Sequence, residues 1–166
     1  MGVARFLRRV NGQIAEVLGL SVSTGASDAG KIVETSSDGR LDISLMPTGV
    51  GADTVTKVAS EALSANDLVN FFDDAGTSKV RKADASNGRR ANGYVKDAVA
   101  SAGTATVYLG GTIVTTGMTV GPVYLGTGGA MTATPPSTSN HISQEIGNAI
   151  SATEVIFEAQ SPITIA

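Results

Sequence analysis

The chain has no cysteine and no tryptophan, one histidine, and only 4% aromatic residues in 166. Without cysteine there is no disulfide framework and no thiol chemistry, which suits synthesis in a reducing cytosol. Charged residues make up 16%, against about a quarter in an average domain, while 42% are hydrophobic, which argues against a disordered chain. Basic residues are absent from the back of the chain. All twelve lysines and arginines lie in residues 1–96, and from Asp97 onward the only charged residues are Asp97, Glu145, Glu154 and Glu158. A net charge of −3 disfavours a general nucleic-acid binder. No apolar stretch approaches a membrane span, and none long enough for a signal peptide follows Arg5, Arg8 and Arg9. The expectation is a soluble product that is not exported by the general route, with no nucleic-acid and no membrane partner.

What remains is glycine, threonine and β-branched residues. The length suits one domain with an extended arm. Its core must come from Val, Ile, Leu and Ala, which is thin for this length, so burial against other subunits would help. Asn11-Gly12 is the preferred dipeptide of a two-residue hairpin. The residues around it alternate, which predicts a hairpin over 1–20. The rival is a helix across the same segment, weakened by Gly12 and Gly19. Residues 21–54 are broken by Gly25, Gly30, Gly39, Pro47, Gly49 and Gly51. Short β pieces are expected at 31–35 and 40–46, with Asp38-Gly39 as a turn. Residues 1–54 therefore read as an extended N-terminal arm with short β pieces.

Residues 55–166 carry β-type pieces at roughly ten-residue spacing, the pattern of a small sandwich or barrel. The predicted fold class is all-β, a small β-sandwich or barrel body with that arm. One helical turn is expected over 58–67, and no sustained 3.6-residue period occurs elsewhere. The four letters Val-Tyr-Leu-Gly occur twice, at 107–110 and 123–126. In strand alternation Val107 and Leu109 face one way and Tyr108 the other, as do Val123 and Leu125 against Tyr124. These six residues are the candidates for a packed sandwich and for a subunit–subunit face.

No constellation supports catalysis. His141 follows a proline-rich stretch and reads as a loop residue. Asp73 and Asp74 could form a carboxylate pair or hold Ca²⁺, but strand neighbours point to opposite faces and Asp-Asp-Ala-Gly is good turn chemistry. The glycine pairs 110–111 and 128–129 lack the rest of a phosphate loop. Lys79, Arg81, Lys82, Arg89, Arg90 and Lys96 are interspersed with acids and read as a salt-laced surface, with a phosphate-binding face as the rival. The expectations are no catalytic residue, no metal and no cofactor. A glycan-binding or hydrolytic β domain is the enzyme-class rival. It has few aromatics to stack a sugar on, and the 98–144 stretch has no carboxylate for a glycosidase pair.

The wording of residues 30–54 (GKIVETSSDGRLDISLMPTGVGADT) and of 58–109, together with the ending GGAMTATPPSTSNHISQEIGNAISATEVIFE, resembles tailed-bacteriophage capsid decoration, or head cement, proteins from about Arg5 to Glu158. Related wording occurs in phage tail, neck and fibre components, which form the alternative. The resemblance implies a non-enzymatic virion protein at the capsid surface, made in the host cytoplasm. Its implied partners are the major capsid protein and itself, as a homotrimer. The arm then offers Arg5, Phe6, Leu7, Arg8, Arg9, Val10, Ile14, Leu18, Ile32, Val33, Leu41, Ile43, Leu45 and Met46 as candidate capsid-binding residues. Apolar burial would supply affinity, and the three arginines would supply complementarity to an acidic patch.

Overall fold

The computed structural model describes residues 5–46 and 51–166, and the chain divides into two units, Met1–Gly51 and Ala52–Ala166. The first unit opens with β1 (Arg5–Val10) and β2 (Gln13–Leu18), paired antiparallel from Arg5↔Leu18 to Val10↔Gln13. Asn11 at φ 49° and Gly12 at φ 85° form the connecting turn, the left-handed pair that matches strand twist. The β pieces expected downstream do not form strands. Val33 makes only an isolated parallel bridge to Leu20, and 40–46 contains a 3-10 turn at Ile43–Leu45. The reason is local: the Asp42 side chain accepts the Ser44 N–H at 2.9 Å and captures the backbone that a ladder would need. Pro47 and Gly49, read as breaks, lie outside the described residues.

The second unit begins with five strands: β3 (Thr54–Ala59), β4 (Leu68–Asp74), β5 (Thr77–Lys82), β6 (Gly93–Val95) and β7 (Thr104–Tyr108). They close into a barrel in the order β3-β5-β4-β6-β7, with β3 parallel to β5 and the other neighbours antiparallel. Alternation fills the interior with Ala59, Val69, Val80, Val95, Ala105 and Val107, and Leu63 joins the same cluster. The helical turn expected at 58–67 is absent. There β3 ends, and Leu63 instead exchanges both backbone hydrogen bonds with Val99, at 2.8 and 2.9 Å. Burying Leu63 in the barrel core outweighs the helix preference of the Ala-Ser-Glu-Ala-Leu stretch at 59–63.

The remaining strands are β8 (Gly111–Val114), β9 (Gly121–Leu125), β10 (Met131–Thr132), β11 (Ile142–Ser143), β12 (Glu145–Ala149), β13 (Glu154–Phe157) and β14 (Ile163–Thr164). Five of them form an antiparallel sheet, β10-β9-β12-β13-β8, while β11 pairs with β14. Ile113, Val123, Leu125, Ile146, Val155 and Phe157 join Leu68 and Tyr94 of the barrel in a second core. Strands β4 and β6 thus serve both cores by alternation: Val69 and Val95 point into the barrel, Leu68 and Tyr94 onto the sheet. The Tyr94 ring lies 5.4 Å from both Tyr108 and Phe157, and its hydroxyl donates to the Thr112 carbonyl at 3.2 Å. Burial, and then the neighbouring Tyr108, push the Tyr94 pKa up, so its phenol stays protonated and available as that donor.

The second unit protects the edges of its barrel and of its five-stranded sheet. A closed barrel has none. The last strand on one side, β10, is two residues long. On the other side, Thr115 N–H reaches Thr153 O at 2.9 Å, so by alternation the carbonyls of Thr112 and Val114 turn away from β13. Tyr94 Oη and Asn66 Nδ2 (2.8 Å) donate to those two carbonyls.

Candidate functional site

The first unit is built differently: none of its described residues is buried. Its hairpin register sorts the candidate arm residues onto two faces. Arg5, Leu7 and Arg9 stand opposite Leu18, Glu16 and Ile14, so these six share one face, which is exposed throughout. Leu7 is 77% and Ile14 76% exposed. Phe6, Arg8 and Val10 share the other face with Val17, Ala15 and Gln13, and there Phe6, Ala15 and Val17 are half-buried. The candidate residues of the hairpin are therefore divided between two faces. Ile32 and Val33 come beside Leu20 through the bridge, while Ile43 and Leu45 sit on the later 3-10 turn, with Leu41 just before it and Met46 capping its end.

Charge on the hairpin is mostly positive. Arg5 pairs with Glu16 at 3.1 Å, Arg8 donates to the Gly30 carbonyl at 2.7 Å, and Arg9 donates to the Gly12 carbonyl at 3.3 Å. Two of the three guanidinium charges thus meet neutral carbonyls. Arg8 also lines a groove of about 490 Å³ with Val17, Leu18, Gly19, Leu20, Lys31 and Ile32. Sequence reading had singled out neither Val17, Leu20 nor Lys31 for a site. The signal for Val17 was its place opposite Phe6 in the hairpin register.

The loop that follows is held by Asp28. Its carboxylate accepts from Thr24 N–H at 2.5 Å, Thr24 Oγ1 at 2.8 Å and Ser23 Oγ at 3.4 Å, and pairs with Lys31 Nζ at 2.5 Å. The Lys31 ammonium, and then the Thr24 donors, hold Asp28 far below the usual carboxylate range. A depressed carboxylate stabilises the folded loop above its unfolded pKa and releases that contribution only as pH falls toward the folded value. The Thr24 amide resonance should therefore keep its position from neutral pH down to about 4, the ordinary aspartate range, and move only in stronger acid. A midpoint at the ordinary aspartate value would contradict this geometry.

In the second unit the residues tested for chemistry have structural roles. Asp73 and Asp74 end β4; Asp73 Oδ2 accepts the Gly76 N–H at 3.1 Å, and Asp74 pairs with Lys79 at 2.6 Å. Lys82 pairs with Asp67 at 3.1 Å, Arg81 lies 4.4 Å over the Phe72 ring, and Lys96 lies 4.2 Å over Tyr108. His141 is half-buried in a loop, tied by backbone bonds to Thr138 and Ile165. Among the described residues no group of three His, Asp or Glu side chains stands together. A polar cleft of about 280 Å³ is lined by Arg90, Asn92, Gln144 and Ser161, among others, with no carboxylate or imidazole in its wall.

The doubled Val-Tyr-Leu motif serves the chain's own interior. Val107, Val123 and Leu125 are fully buried, so none of the three is available to a subunit–subunit face. Tyr108, Leu109 and Tyr124 are half-buried, with Tyr108 stacked on Tyr94.

No protein-family model and no curated protein matches the chain. Among solved structures it is similar to the head fibre gp8.5 N base of bacteriophage phi29. That likeness has a TM-score of 0.43 and 12% identity, over 65% of this chain and 95% of that one.

Proposed function

We propose that this chain is a non-enzymatic structural protein of a phage virion, a decoration protein that binds the outside of the head and stabilises contacts between major capsid protein subunits. Residues 5–46 are its attachment element. The observation that carries this reading is the contrast between the two units. The second buries two cores and caps its sheet edge. Among its described residues the first has none buried, exposes Leu7, Ile14 and Leu18 on one face, and pairs neither edge of its hairpin with another described strand. A lone two-stranded hairpin is marginal in water and gains stability from a partner surface. Its arginines favour an acidic partner, and strand addition is open to it. The major capsid protein is the partner that the resemblance in wording to capsid decoration proteins implies.

Two measurements test this. On the order of hundreds of copies per purified particle would support decoration, since many modest contacts then act together; a handful would favour a tail, neck or fibre position instead. Replacing Leu7 and Ile14 together by aspartate should weaken binding to empty shells by at least about a hundredfold, from about 1.5–3 kcal/mol for each buried aliphatic side chain. The melting temperature of the second unit should not move. Unchanged binding would remove the hairpin from the interface.

A further inference from the structure

We propose that the polar cleft of the second unit binds an acidic sugar through its carboxylate. The cleft is built from separate stretches of chain. Arg90 and Asn92 lie just before β6, Gln160, Ser161 and Pro162 lie between β13 and β14, and Leu109 follows β7. One buried amide joins the first two stretches: Gln144 accepts from the Ala91 N–H and donates to the carbonyls of Ala91 and Gln160. Asn70 Nδ2 holds the Arg90 carbonyl at 3.0 Å, and Asn92 Oδ1 accepts the Phe71 N–H at 3.0 Å. The backbone of the site is thus fixed before any ligand arrives, so binding orders little there.

The donors of the cleft are uncommitted. Among the described residues Arg90 takes part in no ion pair, and it is exposed. Asn92 spends its carbonyl oxygen on Phe71, which leaves Nδ2 to donate, and Ser161 adds an exposed hydroxyl. A guanidinium fork matches a carboxylate with two parallel hydrogen bonds. No carboxylate in the wall competes for it. A phosphate dianion suits the cleft less. Gln160 bonds the backbone carbonyls of Glu145 and Glu158 at 2.8 and 3.4 Å, so two exposed acidic residues adjoin it. Amides and a hydroxyl suit the ring hydroxyls of a sugar, while Leu109 and Pro162 offer a small apolar surface to its C–H face. The volume of about 280 Å³ is below the roughly 300–1,000 Å³ of drug-sized sites and suits a single ring. The scarcity of aromatic residues counts against stacking a neutral sugar, not against pairing a charged one. The inference stands on the second unit alone and does not depend on a virion role.

Titration of the full chain with glucuronate, followed by its amide resonances, tests this. Those of Arg90, Ala91, Asn92 and Ser161 should move with a Kd of about 1 mM, the scale set by about a dozen ligand atoms. Glucose should bind about tenfold more weakly or worse, because it brings no carboxylate to the guanidinium. Arg90→Gln should lose about the same factor with an unchanged melting temperature, since the bond that fixes the chain there is made by the Arg90 carbonyl. Lys79→Gln removes the same charge from β5, outside the cleft, and should bind like the unaltered chain. Acetate and inorganic phosphate should each bind more weakly than glucuronate. Several results would overturn the inference: no shift up to about 50 mM glucuronate, glucose, acetate or phosphate binding as tightly as glucuronate, or Arg90→Gln losing no more than Lys79→Gln.

Discussion

Gly147→Ala should lower the melting temperature by roughly 8–24 °C or leave the chain insoluble, at about 4 °C per kcal/mol for a unit of this size. Gly147 lies in β12, between β9 and β13, opposite Val123 and Phe157. The register slips there: Glu145 faces Tyr124 and Gly147 faces Val123, so Ile146 is the extra residue of a bulge. Two costs coincide. Gly147 sits at φ 142°, a region that side chains strain to adopt, at about 1–3 kcal/mol. A β-carbon there would also lie 1.9 Å from the Ile156 carbonyl oxygen and 3.1 Å from Glu158 N. Both are backbone atoms and cannot rotate aside. Relief requires β12 and β13 to separate, which breaks the 2.9 Å bond from Glu158 N–H to Ile146 O, and overpacking of this kind costs a further 1–3 kcal/mol or so. Against a total stability of about 5–15 kcal/mol the sum is large. Gly110→Ala is the control: nothing lies within 4 Å of its β-carbon position. Thermal scans of the two variants decide the matter, and equal melting points would mean that the bulge is not as described.

Gly147 shows where sequence reading stopped. Features set by local chemistry were legible. Asn11-Gly12 announced its hairpin, Asp73-Asp74-Ala75-Gly76 its turn, and alternation gave the all-β class and the facing of Val107 against Tyr108. Features set by contacts distant in sequence were not. The parallel pairing of β3 with β5 joins strands with β4 between them in the chain, so no local signal closes the barrel. The two Val-Tyr-Leu copies have the same letters and the same alternation, yet Val107 fills the barrel and Val123 fills the second core. The candidate arm was legible as a set of apolar and arginine residues, but its division into two faces needed the strand register. Gly147 itself was one glycine among 20; the available sign was a glycine inside an alternating strand pattern, which marks a bulge.

Gln144→Leu should destabilise the second unit by about 2–6 kcal/mol, with surface properties unchanged, because it would leave the buried N–H and carbonyl of Ala91 unpaired at about 1–3 kcal/mol each. Gln144 is 2% exposed, and Asn70 is the other buried polar side chain among the described residues. Gln144 Oε1 accepts the Ala91 N–H at 2.7 Å, while Nε2 donates to the Ala91 carbonyl at 3.0 Å and to the Gln160 carbonyl at 2.9 Å. Asn70 holds the same approach to β6 by donating to the Arg90 carbonyl at 3.0 Å and sharing Asn92 with the Phe71 N–H. The segment before β6 is therefore fixed from two sides by neutral amides, each able to donate and accept at once. Charge cannot replace that pattern. In Gln144→Glu the ionised carboxylate still accepts from Ala91 N–H, but it faces two carbonyl oxygens to which it cannot donate. Burial and those oxygens raise its folded pKa above the unfolded value of about 4.3. A raised carboxylate binds its proton more tightly when folded, so the deficit of Gln144→Glu grows as pH rises above that value and shrinks toward about pH 4. Gln144→Leu has no proton to gain, and its deficit should stay constant over the same range. Denaturation curves of the two variants between about pH 4 and 8 should diverge in this way. Parallel curves would show that the two carbonyls are satisfied by something other than the Gln144 amide.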